Sequence, residues 1–212
     1  MQLIGMLDSP YVRRVAISLQ FMGLPFSHRS VSVFRDFEQF GAINPVVKAP
    51  SLICDDGEVL MESTLILEYA EGMATKRRSL MPAEATARQR SLRIIGLALA
   101  ACDKAVQIVY EQNLRPTEKR HQPWIDRVTG QLLAAYGALE TAIHEPPLNG
   151  ARENIEQAGI TVAVAWHFTQ AMVPEVVTAI RYPALSRFSA GAETSPEFKA
   201  APHGSGTYQP AR

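Results

Sequence analysis

Ser9 is the residue in this chain best placed to do chemistry. It stands between a short apolar run, QLIGM at 2–6, and an apolar-periodic stretch that opens at Pro10, so it marks a strand-to-helix turn. Free backbone N–H groups and the positive end of a helix dipole gather at such a point, and both favour a nearby anion. No histidine stands close by in sequence to serve as a base, so Ser9 lacks the partner that would activate it as a nucleophile. The same serine before Pro10 is also an ordinary helix cap. Glu62-Ser63 opens a second helical pattern and carries the same two readings, a polar site or a cap. Cys54 and Cys102 lie far apart, giving neither a disulfide framework nor a zinc site, and read as core thiols. His28, His121, His144, His167 and His203 show no ligand spacing, so no metal is expected. There is no glycine-rich phosphate loop.

The elements that must position these residues follow from periodicity. Val12, Val15, Ala16 and Leu19 recur at helical spacing, with Gly23 where a helix ends. An alternating strand lies within 26–33, and DFEQFGAINP reads as a short helix or irregular turn. SLIC and VLM, joined through Asp55, Asp56 and Gly57, signal a hairpin. A helix over 64–73 completes βαβ then ββα, with the first two strands parallel and the hairpin antiparallel. KRRSLMPAE breaks the pattern and reads as a linker with a solvated basic surface. Beyond it the text is helical through about Glu140, and IEQAGITVAVAWHFTQAMV is apolar all round, the mark of a buried central helix. Asn154 with Gln157 is the expected capping box of that helix. Residues 183–201 read as two short helices, each with a proline near its start. Arg88, Arg90 and Arg93 read as a solvated face, with an interface or cleft role as the alternative.

The chain has 212 residues, with 21 Lys plus Arg against 21 Asp plus Glu. No overall field therefore recruits nucleic acid or anionic lipid, and binding must come from a local site. Apolar stretches are broken well before membrane-spanning length, and Asp8, Arg13 and Arg14 stand where a signal peptide would be uncharged. A cytoplasmic protein with no membrane or nucleic-acid partner is expected.

Ser9-Pro10-Tyr11, then N-P-V-V-K-A-P at 44–50, a hairpin, and E-S-T-L-I at 62–66 occur in one order. That set resembles the N-terminal domain of the glutathione S-transferase superfamily, whose pattern reads S-P-[YF]-x-R-[RK]-V, N-P-x-x-K-V-P-x-L and E-S-x-x-I-x-x-Y. YPALSRF and SPEFKA resemble its last helices. The resemblance implies a thioredoxin-like α/β domain (βαβαββα) at 1–76, a linker at 77–85, an all-α domain at 86–202 and a disordered tail at 203–212. It implies glutathione as co-substrate, a small electrophile as second substrate, a detoxifying transferase and a homodimer.

On the same resemblance Ser9 is the catalytic residue, donating to the glutathione thiolate. Ala49, before a cis-proline, presents its backbone to the cysteinyl group, and Lys48 faces the glycyl carboxylate. Ser63 and the helix behind it take the γ-glutamyl carboxylate, while Glu62 meets the ammonium. Tyr11, Tyr110 and Trp166 line the electrophile pocket. Two positions depart from the pattern, Ala49 for the usual Val and Val47 where Gly is common. The alternative is a non-catalytic adaptor that binds a protein partner, as stringent-starvation relatives bind RNA polymerase. Cysteine-bearing classes are disfavoured by Asp8-Ser9-Pro10-Tyr11, and a maleylacetoacetate isomerase is disfavoured by the lack of a Ser-Ser-Cys run.

Overall fold

The computed structural model describes residues 1–74, 78–145 and 147–210. It divides into two compact units, Met1–Met81 with Thr194–Arg212, and Pro82–Glu193. In the first unit β1 (Gln2–Ile4), α1 (Pro10–Phe21), β2 (Ser27–Arg29), α2 (Phe37–Gly41), β3 (Ser51–Ile53), β4 (Val59–Met61) and α3 (Ser63–Met73) follow in the expected βαβαββα order. The sheet order is β2-β1-β3-β4, with β1 and β2 parallel and the other pairs antiparallel. Leu3, Ile4 and Leu52 are fully buried in the sheet, and Val12, Val15, Ala16 and Leu19 put the apolar stripe of α1 into the core. Met22 ends α1, and Gly23 at φ +66° lets the chain close the end with bonds from Gly23 N–H to Gln20 C=O and from Leu24 N–H to Leu19 C=O, both 2.9 Å.

The last helix, α8 (Pro196–Ala200), belongs with this first unit, whereas the sequence pattern grouped it with the helical domain. Arg13 explains why. Its side chain is buried, donates Nε–H to Ala201 C=O at 2.8 Å and stacks over Phe198, while Gln20 donates to Glu197 C=O at 3.0 Å. The tail expected to be disordered makes contacts within the first unit over its described residues. Tyr208 stacks on Phe26 with ring centroids 4.5 Å apart, and Ser30 donates to Ser205 C=O at 2.9 Å. Residues 211 and 212 of that tail, and Lys76 and Arg77 of the linker region, lie outside the described residues.

His28 pins this tail and sets a pH dependence. Its Nδ1 accepts from Tyr208 N–H at 3.0 Å, so Nε2 carries the proton and donates to Gly5 C=O at 2.7 Å. Protonation would turn Nδ1 into a second donor facing a donor. Burial lowers the His28 pKa, partly opposed by the Gly5 carbonyl. A histidine held below its ordinary ~6.5 stabilises the docked tail above that pH and loses the contribution as pH falls beneath it. The protection of the Tyr208 amide, its exchange measured against the intrinsic rate, is expected to fall between about pH 7.5 and 5.5. Exchange that follows only the intrinsic pH dependence would show the tail to be held without His28.

In the second unit α4 (Ala85–Asn113), α5 (Gln122–His144), α6 (Gln157–Met172) and α7 (Pro183–Ala192) pack together. Glu84 caps α4 through Thr86 N–H and Ala87 N–H, and Glu140 caps α7 through Ala184 N–H and Leu185 N–H. α6 is buried on nearly every side, and the Tyr136 hydroxyl satisfies its Ala165 carbonyl at 3.0 Å. The expected Asn154/Gln157 capping box does not form. Gln157 is the first helical residue, and Glu156 holds the cap position without a side-chain capping bond. Among the described residues no helix is long and apolar enough to cross a membrane.

Candidate functional site

Strand register brings three of the chemically interesting segments to one end of the sheet. Ile4 pairs with both Arg29 and Ser51, and Ser51 pairs with Met61. The residues just beyond those pairs, Gly5, Pro50 and Glu62, are therefore neighbours at the sheet margin. Gly5, at φ +131°, has the conformation only glycine adopts with ease, and a Cβ there would meet Val12 at 2.7 Å and Ala49 at 3.1 Å. Its bare backbone lets the start of α1 close against the Ala49 segment. The sequence reading passed over Gly5 because a glycine inside an apolar run carries no local signal.

Ser9 caps α1, accepting from Val12 N–H at a long 3.4 Å, while its C=O receives the Arg13 N–H at 2.9 Å. The hydroxyl accepts in that contact, so its own proton remains available to donate. Asp8 beside it is half-buried, and burial raises its carboxyl pKa, opposed by the charges of His203 and Arg35 and by the Ser9 N–H.

Ala49-Pro50 is cis and immediately precedes β3. Asn44 braces the loop before it, donating to Ser51 Oγ at 2.9 Å and accepting from Val46 N–H at 3.0 Å. Lys48 is exposed, and its C=O receives the Ser51 hydroxyl at 2.9 Å. Val47 sits at φ +51°, left-handed backbone that a β-branched residue enters at a cost of about 1–2 kcal/mol. Its side chain packs on the Ile4, Val31 and Phe40 cluster. Val47→Ala keeps the unfavourable backbone and loses methyl contacts, whereas Val47→Gly loses the contacts but relieves the backbone. The expected outcome by urea denaturation is that Gly is at least as stable as Ala, the reverse of the usual order. An alanine variant more stable by about 1 kcal/mol, as at an ordinary position, would show no strain to relieve.

At α3 the structure changes the expected arrangement. Glu62 is the cap, its Oε1 accepting from Thr64 N–H at 3.1 Å and Leu65 N–H at 3.3 Å. Ser63 is fully buried, and its Oγ accepts from Arg14 Nη1 at 3.1 Å, with Thr64 Oγ1 at 3.4 Å from the same nitrogen. Arg14 is itself only 2 % exposed. It ties the middle of α1 to the start of α3, so the segment carrying Ser9 and the segment carrying Glu62 are held by one guanidinium.

Residues 3–77 match the family model described as glutathione S-transferase, N-terminal domain. A glutathione transferase family member from Pseudomonas fluorescens Pf-5, solved with bound glutathione, is 27 % identical and superposes with a TM-score of 0.81 over all of this chain and 99 % of that one. Residues 3–77 thus form a glutathione S-transferase N-terminal domain, and over its length the chain is similar to glutathione transferases. A glutathione S-transferase from Methylobacillus flagellatus KT, with GSH bound, is 25 % identical at a TM-score of 0.84, covering 94 % of this chain and 98 % of that one. Among curated proteins, the uncharacterized GST-like protein YibF of Escherichia coli (strain K12) is 26 % identical over 78 % of this chain and 81 % of its own. Maleylacetoacetate isomerase of Pseudomonas aeruginosa is 30 % identical over 59 % and 63 % respectively.

The three aromatic residues expected around an electrophile differ in exposure. Tyr11 is part-exposed in the first turn of α1. Tyr110 is 44 % exposed on α4. Trp166 is 4 % exposed and stands edge-on to Tyr136 and Tyr182, with centroids 5.3 and 5.8 Å away. Its side chain is part of the core of the helical unit, because α6 is buried on nearly every side. Cys54 is buried, and burial raises its thiol pKa. Among the described residues no cluster of His, Cys, Asp or Glu has the makings of a metal site.

Proposed function

We propose that this protein is a serine-type glutathione transferase, which binds glutathione at the sheet margin and stabilises its thiolate for attack on an electrophile. The supporting observation is the register that sets Pro50 beside Glu62, with Ser9 on the helix that Gly5 admits to the same margin. The Ala49 peptide receives the cysteinyl backbone as an added strand would, and Lys48 meets the glycyl carboxylate. At the γ-glutamyl end, the ligand carboxylate replaces the Glu62 carboxylate at the α3 N–H groups, and Glu62 turns to the ammonium. Both are charge-assisted exchanges at a helix N-terminus.

A free thiol titrates near ~8.5, so at neutral pH the nucleophilic thiolate is the minor form. A hydrogen bond from Ser9 Oγ to the charged sulfur is worth roughly 1.5–3 kcal/mol, and the α1 dipole adds up to about 1–2. Together these reach the ~2.7 kcal/mol that a two-unit depression requires. The thiol proton leaves to solvent, and the thiolate forms the carbon–sulfur bond as the electrophile's leaving group departs or its double bond takes the charge.

Calorimetric titration with glutathione, followed by thiolate absorbance against pH in the complex, tests the reading. Binding with a depressed thiol pKa is expected, and turnover is then sought across an electrophile panel. Binding without the depressed pKa would favour the protein-binding adaptor. No binding would remove the reading altogether. Light scattering across the micromolar range tests the proposed homodimer, which a concentration-independent monomer mass would reject.

A further inference from the structure

The helical unit contains a cavity of about 400 Å³ to which the glutathione reading gives no role. It lies at the start of α6, a helix of 16 residues whose cap residue, Glu156, makes no side-chain capping bond. A helix end without a cap offers N–H groups to an anion. The second observation is independent of the helix end. Ser91, on α4, is 4 % exposed, lines the cavity, and its Oγ has no hydrogen-bond partner among the described residues. A buried hydroxyl left unsatisfied costs about 1–3 kcal/mol, so such a group aimed into a cavity marks a place where a ligand atom belongs.

The charges on the wall define that ligand. Arg90 lines the cavity and is fixed there by donating to Ala142 C=O at 2.8 Å. Glu156 lines it with the opposite sign. One cation and one anion on the same wall disfavour a simple anion, which Glu156 would repel, and a simple cation, which Arg90 would repel. They suit a ligand that carries both signs. Ile94, Leu148 and Ala158 supply an apolar wall.

We propose that this cavity binds a small zwitterion of the α-amino-acid type with a short aliphatic side chain. The carboxylate lies at the α6 N-terminus with Arg90 and the Ser91 hydroxyl. The ammonium lies at Glu156, next to that N-terminus just as the two charges are next to each other on an amino acid. The aliphatic chain lies against Ile94 and Leu148.

The test uses L-norvaline, valerate and butylamine as probes of both charges, the anion alone and the cation alone. Saturating S-methylglutathione is kept present throughout, so that capture of an amino acid at the sheet margin of the first unit does not contribute. Saturable amide shifts at Ser91 and Ala158 in NMR are expected with L-norvaline, and weaker ones with either single-charge probe. Glu156→Gln removes no capping bond, so the fold is expected to survive it. That variant should weaken L-norvaline about tenfold and leave valerate unchanged or tighter, while Ser91→Ala should weaken both. Valerate binding as tightly as L-norvaline to the unaltered protein would overturn the zwitterion assignment. No saturable shift with any probe, or L-norvaline binding indifferent to Glu156→Gln, would overturn the site.

Discussion

In Ser9→Ala, the thiol of bound glutathione is expected to titrate about one to two units higher than in the unaltered complex, with glutathione affinity nearly unchanged. In the proposed complex the substitution removes one hydrogen bond to a charged sulfur, while the proposed contacts of the Ala49 peptide, Lys48 and Glu62 with the rest of the ligand are left in place. Conjugation near pH 7 should fall on the order of tenfold or more, and the loss should shrink as pH rises toward the new thiol pKa. Folding bears a smaller cost. The cap contact to Val12 N–H is long, 3.4 Å, so its loss belongs near the low end of the ~0.5–2 kcal/mol range for such caps. Ser9→Thr keeps both the cap oxygen and the donor, and should restore most of the rate. An unchanged titration curve in Ser9→Ala would move the activating group elsewhere, with Tyr11 next in line.

Ser9 also shows how far the sequence carries. Its cap role, the strand before it and the helix after it are all local, and local periodicity with cap and turn residues located them. The same holds for the hairpin, where Cys54 N–H bonds Glu58 C=O at 2.8 Å across the Asp55-Asp56-Gly57 turn. What stayed out of reach were bonds between residues distant in sequence. Arg13 to Ala201 spans 188 positions and His28 to Tyr208 spans 180, and no pattern within a window announces either. Those bonds decide that α8 and the tail belong to the first unit.

The α3 start failed for a different reason. Glu62 and Ser63 adjoin, and either is chemically able to cap. Which one does depends on where Arg14 lies, since a guanidinium that engages Ser63 leaves Glu62 to take the helix N–H groups. Arg14 entered the sequence reading only as a charge near the start of the chain, because nothing in its neighbours' spacing says that its face is covered.

Replacement of Arg14 therefore has consequences for both stability and binding. Arg14→Met keeps the apolar length of the side chain but removes the donor to Ser63 Oγ and Thr64 Oγ1. Relief of a buried charge offsets part of the loss, yet Ser63 is left fully buried without its donor, a cost of about 1–3 kcal/mol. At roughly 2–4 °C per kcal/mol for a chain of this size, the melting temperature should drop by several degrees. The start of α3 is then free to shift relative to α1, which loosens the grip on the γ-glutamyl end, a part of the substrate whose charge does not change during reaction. Lost uniform binding raises KM and spares kcat. KM for glutathione is expected to rise about tenfold, with kcat within about threefold. Arg14→Lys offers a single ammonium in place of a planar fork and should fall between the two. In a double-mutant cycle with Ser63→Ala, the KM effects should be less than additive, because both changes break one bond. A fall in melting temperature with KM untouched would confine Arg14 to holding the helices together, and strictly additive KM effects would separate it from Ser63.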